Sequence, residues 1–359
     1  MSGLSLSFGP RPGLPSVPLF LLSVIALPPA LLACGDDGGS QGGVQPLNLV
    51  TSPPPIDLED VDAVFYEGLA YDEFPLTALD LLVPADATAA PLVVYIHGGG
   101  FTAGSRKGIY DGRPEEIRAY LRAGVAFASI SYRLLTTGDT EGVLKPLNDS
   151  RRALQFLRYH AAEIGLDPER VVLQGGSAGA GTGLWLAFRD EMADPSSRDP
   201  IDAESTRVLA AAVDETQATY DLEKWQTVVF APYELPPLLP LAALFNAEGL
   251  LLAFYGIDDA ALIDSPEIVQ YRADVDLLDL YTADDPPVWI ENAAFDVEYP
   301  TDFGVLYHHA FHATALEDVG LAIGASPQVY VPQLRDEDPA NRESRQAFTL
   351  RQLGVSGAD

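Results

Sequence analysis

One serine, Ser177, stands at the centre of Gly175-Gly176-Ser177-Ala178-Gly179, directly after the apolar run Val171-Val172-Leu173-Gln174 and before a helix-forming stretch. A hydroxyl on a sharp turn between a buried strand and a helix suits a nucleophile. Glycines at both ends allow the turn, and the helix N-terminus beyond it favours developing negative charge. A second segment, His97-Gly98-Gly99-Gly100-Phe101, follows the run Leu92-Val93-Val94-Tyr95-Ile96. Residues without side chains let backbone N–H groups approach a substrate oxygen. Gly99, Gly100 and Ala178 are therefore the expected oxyanion hole for acyl transfer at Ser177. His97 is read as shaping this loop rather than as a base.

The surrounding elements must place both glycine segments at one edge of a sheet. Short apolar runs bounded by Gly or Pro predict strands at Leu79–Val83, Leu92–Ile96, Val125–Tyr132, Val171–Gln174, Val208–Val213, Val288–Glu291 and Gln328–Val331. Helices are expected over Glu115–Ala123, over Asp149–Ile164, from Ala178 and from about Asn341. Strands alternating with helices make this an α/β chain with a mostly parallel sheet covered on both faces. Between 214 and 285 the alternation is lost in leucine-rich and aromatic segments, which are expected to form a cap lining a pocket.

These motifs resemble those of the hormone-sensitive-lipase-like and feruloyl-esterase-like carboxylesterases of the α/β-hydrolase superfamily. The resemblance runs through Leu79-Asp80-Leu81, Tyr95 to Phe101, Ser131-Tyr132-Arg133-Leu134, Gly165 to Arg170 and Gly175 to Gly179, roughly residues 79–190. It implies the α/β-hydrolase fold and hydrolysis of small carboxylic esters through an acyl-enzyme on Ser177, with no metal or cofactor. It also implies a triad in the order Ser, acid, His. Peptidase chemistry would need the same parts.

The acid is expected after the strand Val288–Glu291, where Asp296 is preferred over Glu298 and Asp302. The histidine is expected after the last strand, but Tyr330 to Pro339 contains none, and none follows His312. His160 is read as packing within a helix. The base is then expected from His308-His309-Ala310-Phe311-His312, with His309 or His308 preferred. If that stretch is one helix, His308 and His312 share a face and His309 points elsewhere. A triad serine without its base loses on the order of 10⁶ in turnover. The competing expectation is therefore a binding protein on this fold that has lost proton transfer.

The chain has 359 residues, 47% of them hydrophobic, enough for a sizeable core. It carries 21 basic and 52 acidic side chains, a net charge of −31. That excludes nucleic acid or anionic lipid as partners through a basic patch. Residues 1–33 hold no acid and one base, Arg11, and their apolar stretch Val17–Leu32 is broken by Pro18, Pro28 and Pro29. It ends in Leu31-Leu32-Ala33-Cys34, before Gly35-Asp36-Asp37, and Cys34 is the sole cysteine. This resembles a bacterial lipoprotein signal, which implies removal of 1–33, lipidation of Cys34 and a place in the cell envelope. Loss of Arg11 takes the charge from −31 to −32. Residues 34–55, rich in Gly, Pro, Ser and Asp, are read as lipidated cysteine and flexible tether, and 56–359 as the hydrolase domain.

Overall fold

The computed structural model describes residues 46–294, 299–335 and 342–355. The expected signal over 1–33, Cys34, and the acid candidates Asp296 and Glu298 lie outside the described residues.

Eight strands form one sheet: β1 (Ala63–Ala70), β2 (Ala78–Pro84), β3 (Ala90–Ile96), β4 (Ala126–Ile130), β5 (Leu166–Gly176), β6 (Ala210–Asp214), β7 (Val288–Glu291) and β8 (Gln328–Tyr330). Their spatial order is β1-β2-β4-β3-β5-β6-β7-β8. β1–β2 and β2–β4 are antiparallel, and every other pair is parallel. The helices are α1 (Gly108–Gly112), α2 (Pro114–Arg122), α3 (Leu144–Tyr159), α4 (Ala161–Ile164), α5 (Ala178–Phe188), α6 (Leu238–Leu244), α7 (Glu248–Tyr255), α8 (Pro266–Asp274), α9 (Leu277–Leu280), α10 (Phe303–His308), α11 (Ala310–Ala322) and α12 (Arg345–Gln352).

Side chains alternate across a strand, so each central strand feeds two cores. Leu92, Val94 and Ile96 of β3, with Val171 and Leu173 of β5, pack in one core with Ala153, Leu154 and Leu157 of α3 and Leu184 of α5. Val93 and Val172 face the other way, into a core with Ile117 and Tyr120 of α2 and Phe348 of α12. Burial on both faces explains why these strands are continuous apolar runs.

The sheet order reverses at β3, whose neighbours are β4 on one side and β5 on the other. Ligands of such sheets bind outside the carboxyl ends of the strands at this reversal. Ile96 at the end of β3 is paired with Gly175 at the end of β5. The two glycine segments therefore leave the sheet side by side.

One expectation is corrected. The expected helix over 149–164 starts earlier, at Leu144 with Pro146 in its first turns, and breaks at His160 into α3 and α4. β1 was not read from sequence. Ahead of residue 56, Ser52 N donates to Phe65 O at 2.9 Å, and Leu47 N to Glu163 Oε2 at 2.9 Å.

Candidate functional site

β5 ends at Gly176 and α5 begins at Ala178, so one residue makes the whole turn. That residue, Ser177, has φ 55° and ψ −122°, a conformation that costs a non-glycine residue about 1–3 kcal/mol. The surroundings hold it there. Ser177 N donates to Asp214 O of the neighbouring β6 at 3.0 Å. A Cβ on Gly175 would stand 2.4 Å from Gly179 O, so a larger residue there would open the turn.

The loop after β3 lies against this turn. A Cβ on Gly98 would meet Gly176 O at 2.6 Å and Ser177 Cβ at 3.2 Å. Gly99, Gly100 and Phe101 follow with φ of 111°, 58° and 62°, three consecutive left-handed residues that curl the chain around the serine. His97 lies beneath this curl: its ring stacks on Tyr132 at 4.1 Å, and Tyr132 Oη donates to His97 O at 2.8 Å. Next to Tyr132, Arg133 Nε bonds Asp149 Oδ2 at 2.9 Å, tying the motif after β4 to α3.

His308 is the last residue of α10, and its Nε2 lies 2.8 Å from Ser177 Oγ. Burial lowers the pKa of its imidazole below the usual 6.5, offset in part by a hydrogen bond to the Gly304 carbonyl. The ring is thus held ready as a neutral acceptor. His309 and His308 were both expectations for this position, and only His308 is set against the serine. His309 is fully buried, ringed by Phe230, Tyr233 and Phe311, and its Nδ1 accepts from Phe311 N at 3.1 Å as the N-cap of α11. Nor do residues 308–312 form one helix. His309 has φ −57° and ψ 141°, which separates α10 from α11. The expected shared face of His308 and His312 is therefore lost. His312 is fully buried in α11, and its Nδ1 accepts from Ala218 N at 3.1 Å. His160 is buried between Phe156 and Tyr159 with its Nδ1 on Glu163 Oε1 at 2.9 Å.

Of the acid candidates, Asp302 is the N-cap of α10, accepting from Val305 N at 3.0 Å. A carboxylate that sequence reasoning missed binds the backbone just after β7. Glu215, with φ 54° after β6, accepts from Ala293 N at 2.8 Å and Ala294 N at 2.9 Å. Burial raises its pKa to about 7. Nothing in Asp214-Glu215 distinguishes it in a chain this acidic.

Ser177, Gly100 and Ala178 form one end of a cavity of about 180 Å³. Most of the remaining wall is apolar, with Leu238, Leu241 and Ala242 of α6, Leu250, Leu251 and Phe254 of α7, and Phe303, Leu306 and Tyr307 of α10, and Gln217 and Thr102 add polar side chains to it. Among the described residues, no charged side chain lines it. The leucine-rich segment between β6 and β7 thus covers the serine with hydrocarbon.

Comparison with known proteins agrees with this geometry. Residues 79–230 match the BD-FAE family model. Carboxylesterase patB of Penicillium expansum is 29% identical over 229 residues, which cover 55% of this chain and 39% of that protein. Acetylcholinesterase of Gallus gallus is 40% identical over 106 residues, covering 26% of this chain and 13% of its own. The chain thus spans well under half of the length of these relatives. Among solved structures, a truncated carbohydrate esterase from gut microbiota superposes with a TM-score of 0.59 at 16% identity, over 82% of this chain and 98% of that one. Esterase B from Lactobacillus rhamnosis, inhibited by a tributyrin phosphonate, superposes with a TM-score of 0.52 at 20% identity, over 82% of this chain and 85% of that one. By sheet order, turn geometry and superposition this chain has the α/β-hydrolase fold, and residues 79–230, which hold Ser177, match the BD-FAE family model.

Proposed function

We propose that this chain hydrolyses carboxylic esters through an acyl-enzyme on Ser177, with His308 as general base. The observation that carries the proposal is the 2.8 Å approach of His308 Nε2 to Ser177 Oγ at the mouth of the apolar cavity. Ser177 Oγ attacks the acyl carbon as its proton passes to His308 Nε2. The N–H groups of Gly99, Gly100 and Ala178 receive the oxyanion, where a preorganised donor contributes about 3–4 kcal/mol. His308 then protonates the leaving alcohol, and water, deprotonated by the same ring, releases the acid. Asp296 is the acid that steers His308 in this scheme, supported by its place in the loop after β7. The same contact disfavours a binding protein without proton transfer.

We also propose which part of the ester the cavity holds. Ser177 and Ala178 line it, whereas His308 is not among its wall residues. The leaving oxygen must face His308, so the cavity takes the group across the scissile carbon: an uncharged, aliphatic acyl chain. At the N-terminus we propose lipidation of Cys34 and attachment to the cell envelope, supported by the Leu31-Leu32-Ala33-Cys34 pattern and the absence of another cysteine.

The test is labelling with an alkyl phosphonate together with hydrolysis of p-nitrophenyl butyrate. Wild type is expected to do both, Ser177→Ala neither, and His308→Ala to lose about 10⁴–10⁶ in kcat. A wild type that neither labels nor hydrolyses, or a His308→Ala variant of normal turnover, overturns the proposal. For the anchor, Cys34→Ser in a bacterial host should move the protein from the detergent phase to the aqueous phase. Equal partitioning of the two forms overturns it.

A further inference from the structure

A helix end leaves carbonyl groups without intrahelical partners. At the break between α10 and α11 three buried side chains bind carbonyls on both sides of His308: those of Leu306 and Tyr307 at the end of α10, and that of His309, which also accepts from His312 N at 3.0 Å. Gln217 Nε2, from the segment after β6, donates to Tyr307 O at 2.9 Å. His312 Nε2, from α11, bonds Leu306 O at 2.9 Å. Asn292 Nδ2, just beyond β7, donates to His309 O at 3.4 Å. The tautomer of His312 follows from its other nitrogen: Nδ1 accepts from Ala218 N, so the proton is on Nε2 and points at Leu306 O. Asn292 is itself fixed, because its Oδ1 accepts from Thr216 N at 3.0 Å and its Nδ2 also donates to Thr216 O at 2.9 Å.

We propose that Gln217, Asn292 and His312 are positioning residues for His308: by holding the carbonyls on both sides of it, they set Nε2 against Ser177 from a segment that precedes the last strand. This inference rests on the reading of His308 as general base. One short stretch of chain serves both partners. Asp214 O at the end of β6 binds Ser177 N, and Gln217, three residues on, binds the residue before His308. The span from nucleophile to base is therefore held by one backbone rather than by two independent loops. Such control matters because a displacement of about 1 Å between reacting groups costs on the order of 10²-fold in rate.

The test uses the full chain with Gln217→Met, Asn292→Asp and His308→Ala. Gln217→Met keeps the length of the side chain and removes the donor. Asn292→Asp keeps the acceptor for Thr216 N, replaces the donor and leaves the cavity wall untouched. Folded sites are counted by end-point phosphonate labelling, and kcat on p-nitrophenyl butyrate is expressed per labelled site. A purely structural role lowers the number of labelled sites and leaves turnover per site unchanged. The positioning role lowers kcat per site by about 10²-fold in both variants, with KM of Asn292→Asp within a few-fold of wild type. Wild-type kcat per site in both variants overturns this inference alone, provided His308→Ala is inactive. Normal turnover of His308→Ala overturns the base and this inference together.

Discussion

Gly179 lies directly beneath Ile96: a Cβ on Gly179 would stand 2.0 Å from the Ile96 carbonyl oxygen and 2.7 Å from that of His97. This contact lets α5 start at the serine while the loop after β3 stays against it. Gly179→Ala must push α5 away from β3 and with it Ser177 from Gly99 and Gly100. We expect a loss of about 1–3 kcal/mol, typical of overpacking, and loss of ester hydrolysis. Gly183, in the same helix, is the control, since a Cβ there meets only side-chain carbons at 3.6 and 3.8 Å. Gly183→Ala should be neutral or stabilising by up to about 1 kcal/mol, as for any helix-interior glycine. Urea unfolding of the two variants measures both, and equal midpoints would refute the steric account.

Much of this arrangement was legible in the sequence, and the exceptions have physical reasons. Strands buried on both faces, such as Leu92–Ile96 and Val171–Gln174, announce themselves as apolar runs ending in glycine. β1 did not, because it is an edge strand with Glu67 and Gly68 exposed within it. The turn at Ser177 was legible because only glycine tolerates the contacts on either side of it. The break at His309 was not. His308 to His312 contains neither Gly nor Pro, and an uninterrupted helix is the local expectation. What ends α10 is tertiary: the carbonyls of Leu306 and Tyr307 are bound by His312 and Gln217, both buried in the fold. For the same reason sequence left His308 and His309 as equal candidates, and Gln217 and Asn292 gave no signal as single amides.

On the proposed mechanism, the protonation of His308 sets the acid limb of the reaction. Burial lowers its pKa below 6.5. Catalysis needs the neutral ring, so kcat/KM should hold down to a pH below 6.5 and fall as pH drops through the lowered pKa. His312 cannot be the source of this limb, since burial pushes its pKa down to about 3. Glu215, whose pKa burial raises to about 7, holds the backbone of Ala293 and Ala294, and its titration is the one to separate from that of His308. The profile of Glu215→Gln separates them: a limb that survives the substitution belongs to His308. A midpoint above 6.5 in that variant contradicts the burial argument.

With the acyl chain in the cavity, as proposed, the cavity's size limits the chain length. A benzene ring, six carbons, fits an apolar cavity of about 150 Å³, or roughly 25 Å³ per carbon. By that scale the 180 Å³ beside Ser177 takes about seven carbons. Each buried methylene contributes about 0.8 kcal/mol, close to fourfold in kcat/KM, until the space is full. Activity on p-nitrophenyl esters should therefore climb from acetate to hexanoate or octanoate and drop for longer chains. Ala242, on the wall in α6, is the place to test the cause. Ala242→Trp fills the cavity without touching Ser177 or His308, so acetate hydrolysis should persist while octanoate falls by at least about tenfold. Varying the alcohol at fixed acyl length should give a much flatter series. A steep alcohol series with a flat acyl series would mean that the cavity holds the leaving group, and that the ester binds in the opposite sense to the one the wall residues imply.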